Sequence, residues 1–203
     1  MEVLNDWKIL GYDVLVVDDG SESDLREICE KFGVYYIKLG KNYGKGYALK
    51  EGFKWGMLRG YKLFATVDGD GQHKAEHFKK FLDAIKSFDI VIGSRRGEIS
   101  RMDLPRKLSN RITSSFISIM TGKRVEDSQC GYRLIKREVL ERIKLKRNKY
   151  DLESELLVKG IWMGFKVGFV PISVVKSKKS YINPIRDIFL AMSLALELIL
   201  LKS

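Results

Sequence analysis

The strongest constraint on this chain is the order of its first hundred residues, where short apolar runs alternate with amphipathic segments. Residues 12–17, 34–39, 62–67 and 89–92 read as strands. Residues 23–32, 47–59 and 75–86 read as helices between them, and residues 1–10 as the end of another. Strands that are apolar almost throughout are those buried on both faces of a parallel sheet. The expected fold class is therefore α/β: a doubly wound, mostly parallel sheet flanked by helices. Ligands of such sheets bind outside the carboxyl ends of the strands.

Polar clusters sit at those ends: Asp18-Asp19-Gly20-Ser21, Asp68-Gly69-Asp70-Gly71-Gln72-His73 and Gly93-Ser94-Arg95. Carboxylates two residues apart on an extended segment point to opposite sides unless the chain turns, and Gly69 and Gly71 supply that freedom. Asp68 and Asp70, with the amide oxygen of Gln72 as a third ligand, suit Mg²⁺ or Mn²⁺. Alone, such a pair is more often a solvated turn. His73 and His77 are four apart with no third imidazole or thiol, and read as surface or cap residues.

The other clusters carry two readings each. Asp18 and Asp19 either form a turn and helix cap or set a carboxylate against a nucleoside. Asn42-Tyr43-Gly44-Lys45-Gly46 is either a structural turn or a loop whose amides meet a nucleotide at a helix start; no Gly-Lys-Ser/Thr ends it. Arg95 is joined by Arg106 and Asn110, one helical turn apart within a helix over residues 104–121. Together they would present guanidinium and amide donors to phosphate oxygens. Asp127, in the loop Asp127-Ser128-Gln129-Cys130-Gly131-Tyr132-Arg133, is a turn former, a general base or a support for the metal. Glu153 and Glu155 do not share a helix face, so one is functional and the other solvated. The remaining elements are a short strand after Arg133, a basic helix over 137–144, a helix over 151–163, a strand over 166–175 and an apolar terminal helix over 184–201.

The 203 residues fit one domain, 1–183, with a C-terminal helix, 184–203, as appendage. The net charge of +11 is concentrated between Arg101 and Lys149 and at Lys176, Lys178 and Lys179, which favours a local anionic partner. No cysteine-pair spacing, RNA-binding aromatic signature or helix-turn-helix spacing accompanies it, which argues against nucleic acid. Cys29 and Cys130 fit no metal or redox spacing; reduced and packed, they suit the cytosol. Residues 1–10 lack a signal peptide's apolar region, and no run reaches the roughly 18 apolar residues that span a bilayer.

In this order, the motifs resemble the inverting glycosyltransferases of family 2, with the GT-A fold. The closest branch is the one that makes dolichol-phosphate or polyprenyl-phosphate mannose. The resemblance rests on Val16-Val17-Asp18-Asp19-Gly20-Ser21, Asn42-x-Gly44-x-Gly46-x-Ala48, Val67-Asp68-Gly69-Asp70-Gly71-Gln72-His73, Gly93-Ser94-Arg95 and the 127–133 loop. It implies transfer of a hexose from GDP-mannose or a UDP-sugar to a polyprenyl phosphate. Asp68, Asp70 and Gln72 would hold the metal. Asp18, Asp19, Gly20, Asn42, Gly44 and Lys45 would lie by the donor nucleotide, and Arg95, Arg106 and Asn110 by phosphates. Asp127, Arg95 and Arg133 would be the catalytic group. It further implies a peripheral place on the cytoplasmic face of a membrane, with a membrane partner subunit as a further expectation. One feature departs: the family opens with a strand ending in a Pro-Ala-Tyr-Asn-Glu-like motif, which is missing here. Its absence implies either a start assigned too late or a truncated, impaired product with exposed apolar strand edges.

Overall fold

A computed structural model describes residues 2–97 and 104–173, the side chains of 2 and 104–106 excepted. The expected terminal helix, Arg101, Lys176, Lys178, Lys179 and the Arg106 side chain lie outside the described residues. Helix α1 (Glu2–Ile9) leads into strand β1 (Leu15–Asp18), helix α2 (Arg26–Lys31) and strand β2 (Tyr35–Lys38). Then come α3 (Lys45–Leu58), β3 (Leu63–Thr66), a 3₁₀ turn (Ala75–His77), α4 (Phe78–Ala84) and β4 (Ile90–Ser94). The second half holds α5 (Leu104–Thr121), β5 (Arg133–Lys136), α6 (Arg137–Arg142), α7 (Leu152–Trp162) and β6 (Val167–Pro171).

The strands form two sheets. β1 and β2 are a parallel pair, while the larger sheet runs in the order β3-β5-β4-β6. β5 is antiparallel to both neighbours and β4 is parallel to β6, so β3, β4 and β6 share one direction. β4 matches the expectation of a strand buried on both faces: all five residues are buried. β1 and β3 do not, because among the described residues each keeps one edge unpaired, and several of their residues are half-exposed or exposed.

The core lies on the larger sheet. Ile90, Val91 and Ile92 meet Leu134 and Ile135 from β5, Leu156 and Leu157 from α7, and Phe78 and Phe81 from α4. Phe81 stacks on Tyr132, with ring centroids 4.1 Å apart. Each such side chain contributes about 1.5–3 kcal/mol on burial. Cys29 and Cys130 are free and buried, and burial pushes the Cys130 thiol up to about 12.

Two polar expectations are corrected. His73 and His77 are buried rather than at the surface. The Nε2 of His77 accepts the backbone N–H of Ser173 at 3.0 Å, tying the 3₁₀ turn to the chain beyond β6. Glu155 is not solvated either: its carboxylate accepts the N–H groups of Lys146 (3.0 Å) and Arg147 (2.9 Å) and pairs with Lys159. A buried carboxylate is tolerated where such donors replace water.

Candidate active site

Chain ends converge on one cavity of about 910 Å³, lined by Asp19, Asn42, Gly44 and Lys45 from the first half and by Asp68, Asp70 and Gln72 after β3. Arg95 reaches it from the end of β4, and Lys149, Asp151 and Glu153 from the start of α7.

Lys45 is the electrostatic centre. Its Nζ lies 2.5 Å from Asp68 Oδ1 and 3.1 Å from Glu153 Oε2. Burial works against its charge, but Glu153 and Asp68 raise its pKa above the ordinary lysine value. Burial alone would raise the Asp68 carboxyl; Lys45 and the neighbouring His73 instead hold it well below the carboxylate range. His73 Nε2 stands 3.6 Å from Asp68 Oδ2. Asp68 is thus ionised and fixed, while Asp70 is exposed and accepts the N–H of Gln72 at 3.0 Å.

The loop after α5 forms the wall behind Asp68. A Cβ on Gly131 would lie 2.5 Å from Asp68 Oδ2, so only glycine allows this approach. The loop is rigid: Arg133 donates to the carbonyls of Cys130 (2.9 Å), Ser128 (2.9 Å) and Glu153 (2.7 Å), and Thr66 donates to Gly131 O at 2.8 Å.

The expected site residues divide accordingly. Asp68, Asp70, Gln72, Asp19, Asn42, Gly44, Lys45 and Arg95 line the cavity. Arg133 does not; it is 1% exposed and fastens the loop. Asp127 is fully buried and engaged by Arg95, Nε–Oδ2 2.7 Å and Nη2–Oδ1 2.8 Å. A carboxylate held in that fork has no approach to a substrate proton, so the geometry makes it the orienter of Arg95 rather than a general base. Asp18 is buried beneath the site, accepting Ser21 N–H at 2.8 Å and the Tyr36 hydroxyl at 2.9 Å. Gly20 closes the turn with φ 83°, where a Cβ would meet Asn42 N at 2.6 Å. Asn110 accepts from Ser114 within α5.

The glycine loop is built for a different neighbour than a phosphate. Asp19 takes the N–H groups of Tyr43 (2.7 Å) and Gly44 (2.8 Å), and Tyr47 N–H goes to Asn148 O at 2.9 Å. A Cβ at Gly44 would stand 2.5 Å from Asn148 O, and one at Gly46 2.6 Å from Lys149 O. These glycines admit the loop before α7. His73 is the site group whose part sequence reasoning missed, although it adjoins Gln72; Glu153 was singled out, but only as one of a pair with Glu155.

No group of three or more His, Cys, Asp or Glu able to hold a metal occurs among the described residues. Two carboxylates and an amide oxygen at a cavity mouth nevertheless fit Mg²⁺ or Mn²⁺, which take their remaining ligands from water and substrate phosphates.

A family model described as glycosyl transferase family 2 matches residues 2–144. An undecaprenyl-phosphate mannosyltransferase of Micrococcus luteus is 32% identical over 176 residues, 81% of this chain and 72% of that protein. A polyprenol monophosphomannose synthase of Mycolicibacterium smegmatis is 31% identical over 173 residues, 79% of this chain and 65% of that protein. Among solved structures, glucosyl-3-phosphoglycerate synthase of Mycobacterium tuberculosis, in complex with Mn²⁺, uridine diphosphate and glucosyl-3-phosphoglycerate, superposes with a TM-score of 0.70. It is 16% identical, and the match covers 96% of this chain and 73% of that one.

Proposed function

Because this chain belongs to glycosyl transferase family 2, we propose that it moves a hexose, mannose or glucose, from a nucleoside-diphosphate sugar to a polyprenyl phosphate, with metal dependence and inversion at the anomeric carbon. The chain is a hexosyltransferase with the GT-A fold. The observation that carries the reading is the pair Asp68 and Asp70 at the cavity mouth, one fixed by Lys45 and the other exposed beside Gln72.

An acceptor phosphate oxygen forms the new bond to the anomeric carbon while the bond from that carbon to the donor's β-phosphate oxygen breaks. The nucleoside diphosphate leaves with the electron pair. Asp68, Asp70 and Gln72 would hold a divalent ion, which would supply Lewis-acid neutralisation of the charge on that leaving group. Lys45 keeps Asp68 ionised and aimed. Asp127 presents the Arg95 guanidinium to the cavity, where it adds preorganised positive charge. Asp19 and Asn42 lie on the side where the donor nucleoside is placed. A phosphate monoester is largely ionised near pH 7 and needs no strong general base, which agrees with an Asp127 committed to Arg95. A hydroxyl acceptor would need such a base. The lipid acceptor puts the protein at the cytoplasmic membrane surface as a peripheral enzyme. No described helix is long and apolar enough to cross a membrane.

The test is direct. Purified protein is given radiolabelled GDP-mannose or a UDP-hexose, a short-chain polyprenyl phosphate, and Mg²⁺, Mn²⁺ or EDTA, and the lipid product is resolved and its anomer read by NMR. Product of inverted configuration is expected with metal and none with EDTA. Asp70→Ala should abolish transfer with an unchanged circular dichroism spectrum; near-normal turnover by that variant would falsify the metal assignment.

A further inference from the structure

One wall of the cavity is the first turn of α7, and it carries two buried carboxylates that are only half used. Asp151 and Glu153 line the cavity at 7% and 5% exposure. Each has one oxygen beside a cation: Asp151 Oδ2 stands 3.6 Å from Arg147 Nη1, and Glu153 Oε2 3.1 Å from Lys45 Nζ. The other oxygens, Asp151 Oδ1 and Glu153 Oε1, are buried and accept no hydrogen bond. Arg133 Nε, 3.9 Å from Glu153 Oε1, is beyond hydrogen-bond reach. Helix capping does not account for Asp151. It occupies the N-cap of α7, where an aspartate ordinarily accepts a free N–H of the first turn, yet its side chain makes no capping bond. Its backbone is already helical there (φ −73°, ψ −15°) rather than extended. A carboxylate oxygen withdrawn from water without a donor costs free energy, and a ligand that brings the donor removes that cost.

We infer that Asp151 is a specificity-determining residue that accepts a hydrogen bond from a hydroxyl of the donor's hexose, with Glu153 beside it in the same seat. The inference rests on the transfer reaction proposed above. Charge selects the ligand chemistry. An anionic wall repels phosphate, and the cations it needs are already present in Lys45 and Arg147. What it lacks is a neutral O–H donor, and a hexose is the part of the substrates richest in them. Position agrees. Lys45 bridges Glu153 to Asp68, so the start of α7 adjoins the carboxylates assigned to the donor diphosphate. Asp19 and Asn42 take the nucleoside side and Arg95 the phosphate charge, which leaves the hexose to this wall.

The test separates sugar from nucleotide. The full chain with Mn²⁺ is titrated by calorimetry with GDP, UDP, GDP-mannose and UDP-glucose. Asp151→Ala should bind the sugar-free diphosphate as the parent does and its nucleotide sugar about tenfold more weakly or worse, the loss of one hydrogen bond to a charged acceptor. Among donor analogues each lacking one hexose hydroxyl, one should bind parent and Asp151→Ala alike. Asp151→Asn keeps the size with a neutral acceptor and should fall between the two; if Asp151→Ala fails to fold, the asparagine variant decides. Equal weakening of diphosphate and nucleotide sugar would make Asp151 a structural residue and overturn the assignment. So would unchanged binding of both. A parent that binds neither nucleotide sugar overturns the transfer reading itself and this assignment with it, whereas a parent that binds and transfers while the variant matches it sinks the assignment alone.

Discussion

At the scale of single residues, Lys45 governs the site because it neutralises two carboxylates that would otherwise repel. Removing a partner from a buried pair leaves the other charge uncompensated, and that cost exceeds the net worth of the pair. Lys45→Met should therefore destabilise the protein by about 1–3 kcal/mol, discounted because Asp68 is one-third exposed. A divalent ion would replace the lost charge, so Mn²⁺ should raise the unfolding temperature of this variant more than that of the parent. An equal Mn²⁺ response would mean that Lys45 does not hold the metal carboxylate. Gly131 makes the complementary case for shape. A methyl 2.5 Å from Asp68 Oδ2 cannot be accommodated by the loop, which Arg133 fixes at three carbonyls. Gly131→Ala should displace the carboxylate and cut turnover at least tenfold, with a shift in unfolding temperature of only a few degrees. Parallel activity and melting measurements separate the two effects.

At the scale of elements, the order of strands and helices was legible because short, nearly continuous apolar runs alternate with segments of helical period. The antiparallel insertion of β5 was not. Arg133-Leu134-Ile135-Lys136 reads as a strand, but its direction follows from which distant edges it meets, β3 and β4, and no local signal records that. The same limit applies to polar burial. Glu155, His73 and His77 look like surface residues until tertiary partners are known, and the glycines at 44 and 46 look like a phosphate loop until the 148–149 segment is packed on them. Asp68 and Asp70 were legible as cavity residues because strand end and glycine turn coincide within three residues. His77 yields a pH prediction for the join between the 3₁₀ turn and β6. Burial, then Lys80, lowers its pKa below 6.5, with Glu76 acting the other way. The unfolded chain thus binds the proton first, and stability is full above pH 6.5 and declines as pH falls through the folded value. The unfolding temperature should drop between pH 7.5 and 5.5. His77→Gln should be less stable at pH 7.5 yet show a flatter profile, and an unchanged slope would exclude His77 as the source.

At the scale of the whole molecule, charge and an unusual helix point the same way. α5 turns Ser109, Thr113 and Ser114 inward, where Thr113 and Ser114 donate hydrogen bonds, and leaves Leu108, Ile112 and Ile119 at 58%, 42% and 83% exposure. At 100° per residue those three fall within about 40° of one another, forming an outward apolar stripe beside Lys107 and Arg111. With a net charge of +11, such a stripe suits an anionic lipid surface, where each nearby basic residue adds about 1 kcal/mol of attraction. The protein should co-sediment with vesicles rich in phosphatidylglycerol and not with phosphatidylcholine alone. Binding should weaken between 0.1 and 1 M salt, as the screening length shrinks from about 10 to about 3 Å. Leu108→Glu with Ile112→Glu should reduce sedimentation at low salt at least fivefold while leaving the unfolding temperature nearly unchanged, since both side chains are already in water. Charge attraction alone would leave a different pattern, in which the double variant loses no more binding than its two added negative charges explain. A Leu108→Gln, Ile112→Gln pair separates the cases: it removes the apolar stripe without altering charge, and undiminished binding by that pair would take α5 out of the interface.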